Sequence, residues 1–221
     1  MYSTTSLSVS VAFTNSNEML LLVKSLLPKN PIILEAGGHY GEDTIRMKSV
    51  WPDAIMHVFE PLPTSFAKLF KGTRHLSGIV CYSYALASYS GKARFYLDRG
   101  NDGASSINSP VQWNQHEFDK KPIEVSCITI NDWAKLNNIP RVDFMWLDME
   151  GHELYALQQA SSILASVQAI YTEVDFVPIR VNACLYQDVK KFLESQGFYE
   201  IGKTITSKIQ GNALFIRKKV T

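Results

Sequence analysis

The chain has 221 residues, of which 46% are hydrophobic and 19% are charged, and its formal net charge is +1. This length and composition suit one globular domain with a sizeable core. The basic residues are scattered, so we expect no nucleic-acid partner. Three widely spaced cysteines without CxxC spacing exclude a disulfide framework and favour the reducing cytoplasm. No stretch is long and apolar enough to predict a membrane span.

The first predicted element is a helix near the N-terminus. After a polar start over residues 1 to about 16, NEMLLLVKSLLPKN has apolar residues at helical spacing, with Asn17 as the candidate N-cap and Pro28 as the stop. We assign residues 1–31 to this tail and helix, and residues 32–221 to one main domain.

Short apolar runs then alternate with amphipathic stretches. The predicted strands are IILEA, AIMHVFE, IVCYSYAL, DFMWLDM and VQAIYTEV, and the predicted helices between several of them are EDTIRMKSVW, PTSFAKLFKG and HELYALQQASSIL. This alternation predicts βαβ units and a parallel sheet. Near the end, YQDVKKFLESQGF predicts a helix that ends at Gly197, and YEIG and GNALFIRKK predict a closing pair of strands.

A long polar stretch over residues 98–122 interrupts this rhythm. Such loops in a compact domain are usually functional or disordered. Because the stretch contains apolar side chains that can be buried, we predict a lid rather than a disordered insert. The candidates for burial are Ile107, Val111, Trp113 and Phe118.

The segment IILEAGGHYGEDT places Gly37, Gly38 and Gly41 at a predicted strand-to-helix turn. Ligands of open α/β sheets bind outside the carboxyl ends of the strands, and glycine lets a ligand approach the backbone closely. The turn therefore predicts a binding site, although a tight turn that serves only the fold is the alternative.

Glu60 closes the next predicted strand, about 20 residues after the glycine turn. An acidic residue at this spacing can accept hydrogen bonds from both hydroxyls of a ribose. The alternatives are that Glu60 caps the following helix or pairs with Lys68. Together, the turn and the carboxylate favour a nucleoside ligand.

The glycine pattern also indicates which nucleoside is bound. His39 occupies the place of the middle glycine of the dinucleotide pattern, where a bulky side chain obstructs a pyrophosphate. Glu42 and Asp43 follow in the first helical turn and would repel it further. A cationic or zwitterionic ligand such as S-adenosylmethionine suits this acidic turn better.

The segment DFMWLDMEGHELYAL forms a third candidate site. An apolar strand ends at Asp148, and Glu150, His152 and Glu153 follow around a glycine. Active-site groups of α/β folds gather at this end of the strands. Helix capping by Asp148 or Glu150 is the alternative, but it explains only part of the cluster.

Together these stretches resemble the FkbM family of S-adenosylmethionine-dependent methyltransferases. The family motifs are matched by LEAGGHYG at 34–41, VFEP at 58–61 and WLDMEGHE at 146–153. ASSI at 104–107 and YTEV at 171–174 resemble two further family elements. The order and spacing of these motifs make the resemblance specific.

The resemblance runs from residue 32 to about 200, with two departures. Gly38 stands where the family often has Ala, and Trp146 stands where many members have Lys. The resemblance implies an α/β, Rossmann-like class I methyltransferase fold. Its seven-stranded sheet would be mostly parallel, with GNALFIRKK as an antiparallel terminal strand.

The resemblance also implies roles for individual residues. Glu35 and the glycine turn would hold the methionine end of the cofactor, Glu60 would bind the ribose diol, and Asp148 would lie beneath the sulfonium. The residues implied to flank the adenine are Pro61, Leu62 and Ala85. The other implied cofactor-binding residues are Ala36, Gly37, Gly38, His39, Tyr40, Gly41 and Thr44.

The implied reaction is O-methylation of a hydroxyl on a small molecule or glycan, such as a sugar or a polyketide-like product. A hydroxyl nucleophile usually needs a base within hydrogen-bond reach, and Asp148, Glu150 and His152 are the candidates, with His39 as a second-rank one. We predict no metal, and the alternative is a metal-assisted variant in which Asp148, Glu173 and Asp175 converge. The alternatives are a nicotinamide-dependent oxidoreductase and a cofactor-binding module without turnover.

Overall fold

The computed structural model describes residues 15–218, so the predicted polar tail lies almost entirely outside the described residues. The helices are α1 (Ser16–Leu26), α2 (Glu42–Val50), α3 (Pro63–Thr73), α4 (Ile130–Leu136), α5 (Glu153–Leu157), α6 (Ser161–Leu164) and α7 (Tyr186–Ser195). The strands are β1 (Ile32–Ala36), β2 (Ile55–Phe59), β3 (Ile79–Tyr82), β4 (Ala85–Leu86), β5 (Gly91–Phe95), β6 (Ile123–Ile128), β7 (Phe144–Leu147), β8 (Ala169–Asp175), β9 (Phe198–Ile205) and β10 (Gln210–Arg217).

Seven strands form the main sheet in the order β3-β2-β1-β7-β8-β10-β9. Neighbouring strands are parallel except at β10, which is antiparallel to both β8 and β9. The predicted fold class is thereby confirmed, including the antiparallel final strand. The order reverses between β1 and β7, which is the place where α/β sheets open a crevice for ligands.

Both faces of the main sheet are covered, which explains the continuous apolar runs of its strands. Successive residues of β1 illustrate this, since Ile33 packs into the core beneath α1, α2 and α3, whereas Leu34 packs into the core beneath α4 to α7. Both side chains are completely buried. Trp146, a departure from the family pattern, lies in the first of these cores and is therefore structural here.

Two predicted boundaries differ from the structure. The N-cap of α1 is Asn15 rather than Asn17, because the Asn15 side chain accepts hydrogen bonds from the backbone N–H of Asn17 and Glu18, at 2.9 and 3.1 Å. HELYALQQASSIL forms two short helices, α5 and α6, instead of one. The carbonyl of Gln159 faces α4 and accepts from the Asn131 N–H at 2.8 Å, which interrupts the helical ladder.

The segment IVCYSYAL also divides, and it leads into a second sheet that the sequence did not predict. Its first half is β3 of the main sheet, and its second half is β4. A three-stranded sheet in the order β4-β6-β5 lies beside the carboxyl ends of the main strands. The polar stretch 98–122 connects β5 to β6 and contains two short 3₁₀ turns, Asp102–Ala104 and Gln115–Glu117.

This connection packs against the rest of the chain through some of its predicted apolar side chains. Phe118 is buried, and Ile107 and Val111 are partly buried, but Trp113 is 61% exposed. The buried polar residues Ser106 and Asn108 also attach it, since both donate to backbone carbonyls of the turn after β7. Across residues 15–218, no helix has the length and apolar character needed to cross a membrane.

Candidate active site

The glycine turn brings the ends of β1, β2 and β7 together. The N–H groups of Gly37 and Gly38 both donate to the Phe59 carbonyl, at 3.0 and 2.9 Å. Gly37 has φ of 84°, and a Cβ at this position would lie 1.9 Å from the Asp148 carbonyl oxygen. The packing of the turn against Asp148 therefore requires glycine at Gly37, whether or not a ligand also approaches the turn.

A cavity of about 320 Å³ opens at these strand ends, between the main sheet and the second sheet. The structure brings ten of the predicted site residues into its lining: Ala36, Gly37, Gly38, His39, Glu60, Pro61, Ala85, Asp148, Glu150 and His152. Five others lie outside the lining: Glu35, Tyr40, Gly41, Thr44 and Leu62.

Three of the residues outside the lining support the turn from behind. Glu35 is completely buried, and its carboxylate accepts a 2.7 Å hydrogen bond from the Thr44 hydroxyl, which ties α2 to β1. Gly41 is the N-cap of α2. Burial raises the pKa of Glu35 well above its usual value. Direct contact of Glu35 with a cofactor stays a prediction.

Glu60 is fixed at the cavity wall by backbone donors. The His39 N–H donates to one carboxylate oxygen at 2.9 Å, and the Leu62 N–H donates to the other at 2.8 Å. Burial outweighs these bonds and raises the pKa of Glu60 to about 7. Lys68 does not pair with Glu60, since its ammonium lies over the Tyr40 ring, 3.7 Å from the centroid.

Asp102 is a cavity residue that the sequence did not single out. It belongs to the first 3₁₀ turn of the long connection, and it accepts hydrogen bonds from the Tyr40 hydroxyl at 2.7 Å and the Ser65 hydroxyl at 3.2 Å. Its carboxylate also lies 3.0 Å from His39 Nε2. The connection is thereby attached to the glycine turn and closes one side of the cavity.

The structure adds Glu173 of β8 to the predicted acidic cluster. Carboxylate oxygens of Asp148, Glu150 and Glu173 lie within 4.8 Å of one another, a spacing at which they could hold a metal ion. Burial, followed by neighbouring carboxylates, raises the pKa of Asp148 and Glu173 well above their usual values. The sequence-based expectation of no metal stays a prediction.

Arg180 is the second functional candidate that the sequence missed. It is 4% exposed, and its guanidinium lies 2.7 Å from a Glu150 oxygen. Glu153, by contrast, accepts the N–H groups of Met149 and Gly151, at 2.7 and 3.4 Å, so it caps the turn after β7. The capping alternative named Asp148 or Glu150, but the N-cap of α5 is His152, without a side-chain cap bond, and Glu150 is in the ion pair with Arg180.

His152 has one ring nitrogen in a hydrogen bond and one without a hydrogen-bond partner. Nδ1 lies 3.0 Å from the side-chain oxygen of Asn108, and Nε2 is buried with no hydrogen-bond partner among residues 15–218. His152 is 7% exposed and lines the cavity. Burial lowers the pKa of His152 to about 4, so the ring is neutral at physiological pH.

We expect the ligand-free protein to lose stability as pH rises from about 6.5 to 8, by roughly 1–2 kcal/mol. Carboxyls with raised pKa keep protons in the folded state that the unfolded chain has released, so the folded state binds more protons in this window. Chemical denaturation at the two pH values measures the effect, and greater stability at pH 8 would contradict it. The groups concerned are Glu35, Glu60, Asp148, Glu153 and Glu173.

The buried histidines do not reverse this loss of stability with rising pH. His57 and His152 have pKa values lowered to about 4, so they resist protonation in the folded state. Their contribution to stability is lost only as pH falls below the unfolded value of about 6.5. Above about pH 6.5, the change of stability with pH is therefore determined by the carboxyls.

Comparisons with known proteins agree with this geometry. A family model described as the methyltransferase FkbM domain matches residues 35–199. The chain is 28% identical over 173 residues to 2-O-methyltransferase NoeI of Sinorhizobium fredii (strain NBRC 101917 / NGR234), and the alignment covers 72% of this chain and 70% of that protein.

Two solved structures share the fold at low sequence identity. Fibrillarin of Aeropyrum pernix, in complex with natively bound S-adenosyl-L-methionine, has a TM-score of 0.53 at 12% identity, covering 90% of this chain and 74% of that one. An rRNA methylase from Streptococcus thermophilus has a TM-score of 0.53 at 7% identity, and the match covers 95% of this chain and 100% of that one. The chain therefore belongs to the FkbM methyltransferase family, and it is a methyltransferase that uses S-adenosylmethionine as its cofactor.

Proposed function

We propose that the protein methylates a hydroxyl group of a small molecule or glycan, such as a sugar or a polyketide-like product. The observation that carries the proposal concerns His152, a residue of the cavity wall. Its Nε2 is buried and has no hydrogen-bond partner among the described residues, so it can accept a proton from a hydroxyl. The name of the relative NoeI, a 2-O-methyltransferase, supports oxygen as the methyl acceptor.

The cavity residues fit the cofactor chemically. Glu60 is held by one backbone N–H on each oxygen, which leaves a further acceptor site on each for a ribose hydroxyl. Asp148 and Glu150 line the cavity, and a cationic ligand bound beside them would favour their charged forms, so these carboxyls suit S-adenosylmethionine. When bound, S-adenosylmethionine supplies an activated methyl group.

Among the three predicted bases, His152 is the best placed. Burial raises the pKa of Glu150 and the ion pair with Arg180 opposes this, so the Glu150 carboxylate already has a charged partner. The carboxyl of Asp148 is buried among other acids, and its raised pKa favours the protonated form. His152 is neutral and unpartnered at Nε2, so it can bind the acceptor hydroxyl, orient it and take its proton.

An RNA acceptor and a nicotinamide cofactor are disfavoured by the same groups. Buried carboxylates at the cavity repel phosphate, and the net charge of +1 provides no basic surface to offset this. The test is to incubate the protein with methyl-labelled S-adenosylmethionine and separate panels of methyl glycosides, phenolic and aliphatic alcohols, and ribosomal RNA. Labelling of RNA alone would overturn the proposed acceptor class, and calorimetric binding of NAD above that of S-adenosylhomocysteine would overturn the proposed cofactor site.

Replacement of Glu60 by glutamine is expected to weaken S-adenosylhomocysteine binding at least about tenfold. The amide removes the charge and one acceptor while keeping the size, so the turn can survive. Because the pKa of Glu60 is raised to about 7, wild-type affinity should fall as pH drops below about 7 and the carboxylate protonates.

Isothermal calorimetry at two pH values measures both effects. Glu42→Gln is the matched control, since Glu42 also lines the cavity but its side chain is 61% exposed. Equal affinities for wild type and a folded Glu60→Gln variant would refute the ribose assignment.

A further inference from the structure

Asn108, in the long connection between β5 and β6, has an amide whose orientation is fixed by its partners. Its side chain is 7% exposed. The Asn108 amide nitrogen donates to the Gly151 carbonyl at 2.9 Å, and a carbonyl oxygen can only accept. The other amide atom, which faces His152 Nδ1 at 3.0 Å, must therefore be the oxygen.

This orientation determines where the proton on His152 is. An amide oxygen is only an acceptor, so His152 Nδ1 must carry the hydrogen of their 3.0 Å contact. A neutral imidazole has one N–H, so Nε2 is the unprotonated nitrogen. Nε2 has no partner among the described residues, and His152 lines the cavity.

The backbone around Asn108 holds this arrangement in place. The Asn108 N–H donates to the Ser106 hydroxyl at 3.1 Å, and that hydroxyl donates to the Glu150 carbonyl at 3.0 Å. Together with the bond to Gly151, two links join the connection to the turn that carries His152. The connection is thus tied to the His152 ring and to the backbone of the two residues that precede it.

We propose that Asn108 is a positioning residue that selects the His152 tautomer with an unprotonated Nε2, the nitrogen that would accept the proton of an acceptor hydroxyl. The proposal rests on the proposed function, because only a base needs this tautomer. Asn108 itself touches neither the cavity nor the reacting atoms, since it acts through Nδ1 of His152. The connection after β5 therefore contributes to chemistry as well as to the cavity wall.

A direct test measures the tautomer without any turnover. Nitrogen-15 NMR of ring-labelled histidine in the protein with bound S-adenosylhomocysteine distinguishes protonated from bare ring nitrogens, and loss of signals in His152→Ala assigns them. We expect Nδ1–H in the wild type, and a mixture or the Nε2–H tautomer in Asn108→Ala. Asn114→Ala is the matched control, since Asn114 is a buried asparagine of the same connection that donates to Ile179.

Kinetics separate positioning from simple structural support. With methyl glycosides as acceptors, Asn108→Ala should lower kcat about tenfold or more, with S-adenosylhomocysteine affinity within about twofold of wild type. Asn108→Asp keeps an acceptor facing Nδ1 but loses the donor to the Gly151 carbonyl, so it should recover part of the loss. Its added charge should move the lower limb of the pH profile to higher pH, because a carboxylate favours the imidazolium.

Two results would overturn the proposal. One is an unchanged His152 tautomer in Asn108→Ala, and the other is an equal loss of kcat in Asn108→Asp and Asn108→Ala with no change in the pH profile. Failure of the proposed function is distinguishable from both outcomes. In that case wild type transfers no methyl group to hydroxyl acceptors, whereas the tautomer measurement still reports whether Asn108 fixes the ring.

Discussion

Replacement of His152 by alanine is expected to lower the turnover of methyl transfer to a hydroxyl acceptor about hundredfold, while S-adenosylhomocysteine binds nearly as in wild type. The physical reason is the loss of a neutral ring whose Nε2 has no hydrogen-bond partner among the described residues, in a residue that lines the cavity. Turnover at about pH 9 should recover in part, because hydroxide can replace a lost base. Initial rates with labelled cofactor, together with calorimetry, measure the two quantities.

His57 provides a matched control for this variant. It is buried to a similar degree, its pKa is also lowered to about 4 by burial, and its Nδ1 lies 3.1 Å from the Tyr82 hydroxyl. His57 does not line the cavity. His57→Ala should therefore reduce stability without changing turnover per folded molecule. Turnover within about twofold of wild type in His152→Ala would assign the base to another group.

Replacement of Gly37 by alanine is expected to destabilise the fold by at least about 3 kcal/mol. A side chain in this region of φ costs about 1–3 kcal/mol, and an overpacked contact costs about 1–3 kcal/mol more. At Gly37 both apply, since φ is 84° and the new Cβ would lie 1.9 Å from the Asp148 carbonyl oxygen. Because typical domains are stable by only about 5–15 kcal/mol, much of the protein should be lost on expression or at moderate temperature.

Gly72→Ala is the control for Gly37→Ala. Gly72 lies in α3, and outside that helix the atom nearest to a Cβ there would be the Tyr40 carbonyl oxygen, at 3.8 Å. Alanine in a helix is favoured over glycine by roughly 0.5–1 kcal/mol, so this variant should be slightly more stable. Urea unfolding of both variants gives the free energies. A Gly37→Ala protein as stable as wild type would contradict the close approach of the turn to β7.

Local sequence was sufficient for the main sheet and the turns that follow its strands. The apolar runs that predict β1, β2, β7 and β8 are all present, because a strand buried on both faces needs apolar residues along its whole length. Glycine at Gly37 and acidic residues after β7 were also recognisable, since turn chemistry acts between residues close in sequence. These features and their order identified the fold class and the family.

The second sheet and the break between α5 and α6 were not predictable in this way. β4 has two residues, and its pairing with β6 brings Ala85 beside Cys127, far apart in the chain. The break between the helices depends on the carbonyl of Gln159 facing the Asn131 N–H of α4. The spacing of apolar residues within one segment contains no information about either of these long-range contacts.

Sequence by itself determined which strands form the parallel sheet, where the glycine turn begins and which acidic residues follow β7. Tertiary structure decided how these groups are partnered. Asn108 and His152 are separated by 44 positions, and His39 and Asp102 by 63, yet each pair lies 3.0 Å apart. The physical reason is that burial and hydrogen bonding depend on how distant segments pack, and those two quantities decide whether a carboxylate, a guanidinium or an imidazole is engaged by a partner or free to bind and react.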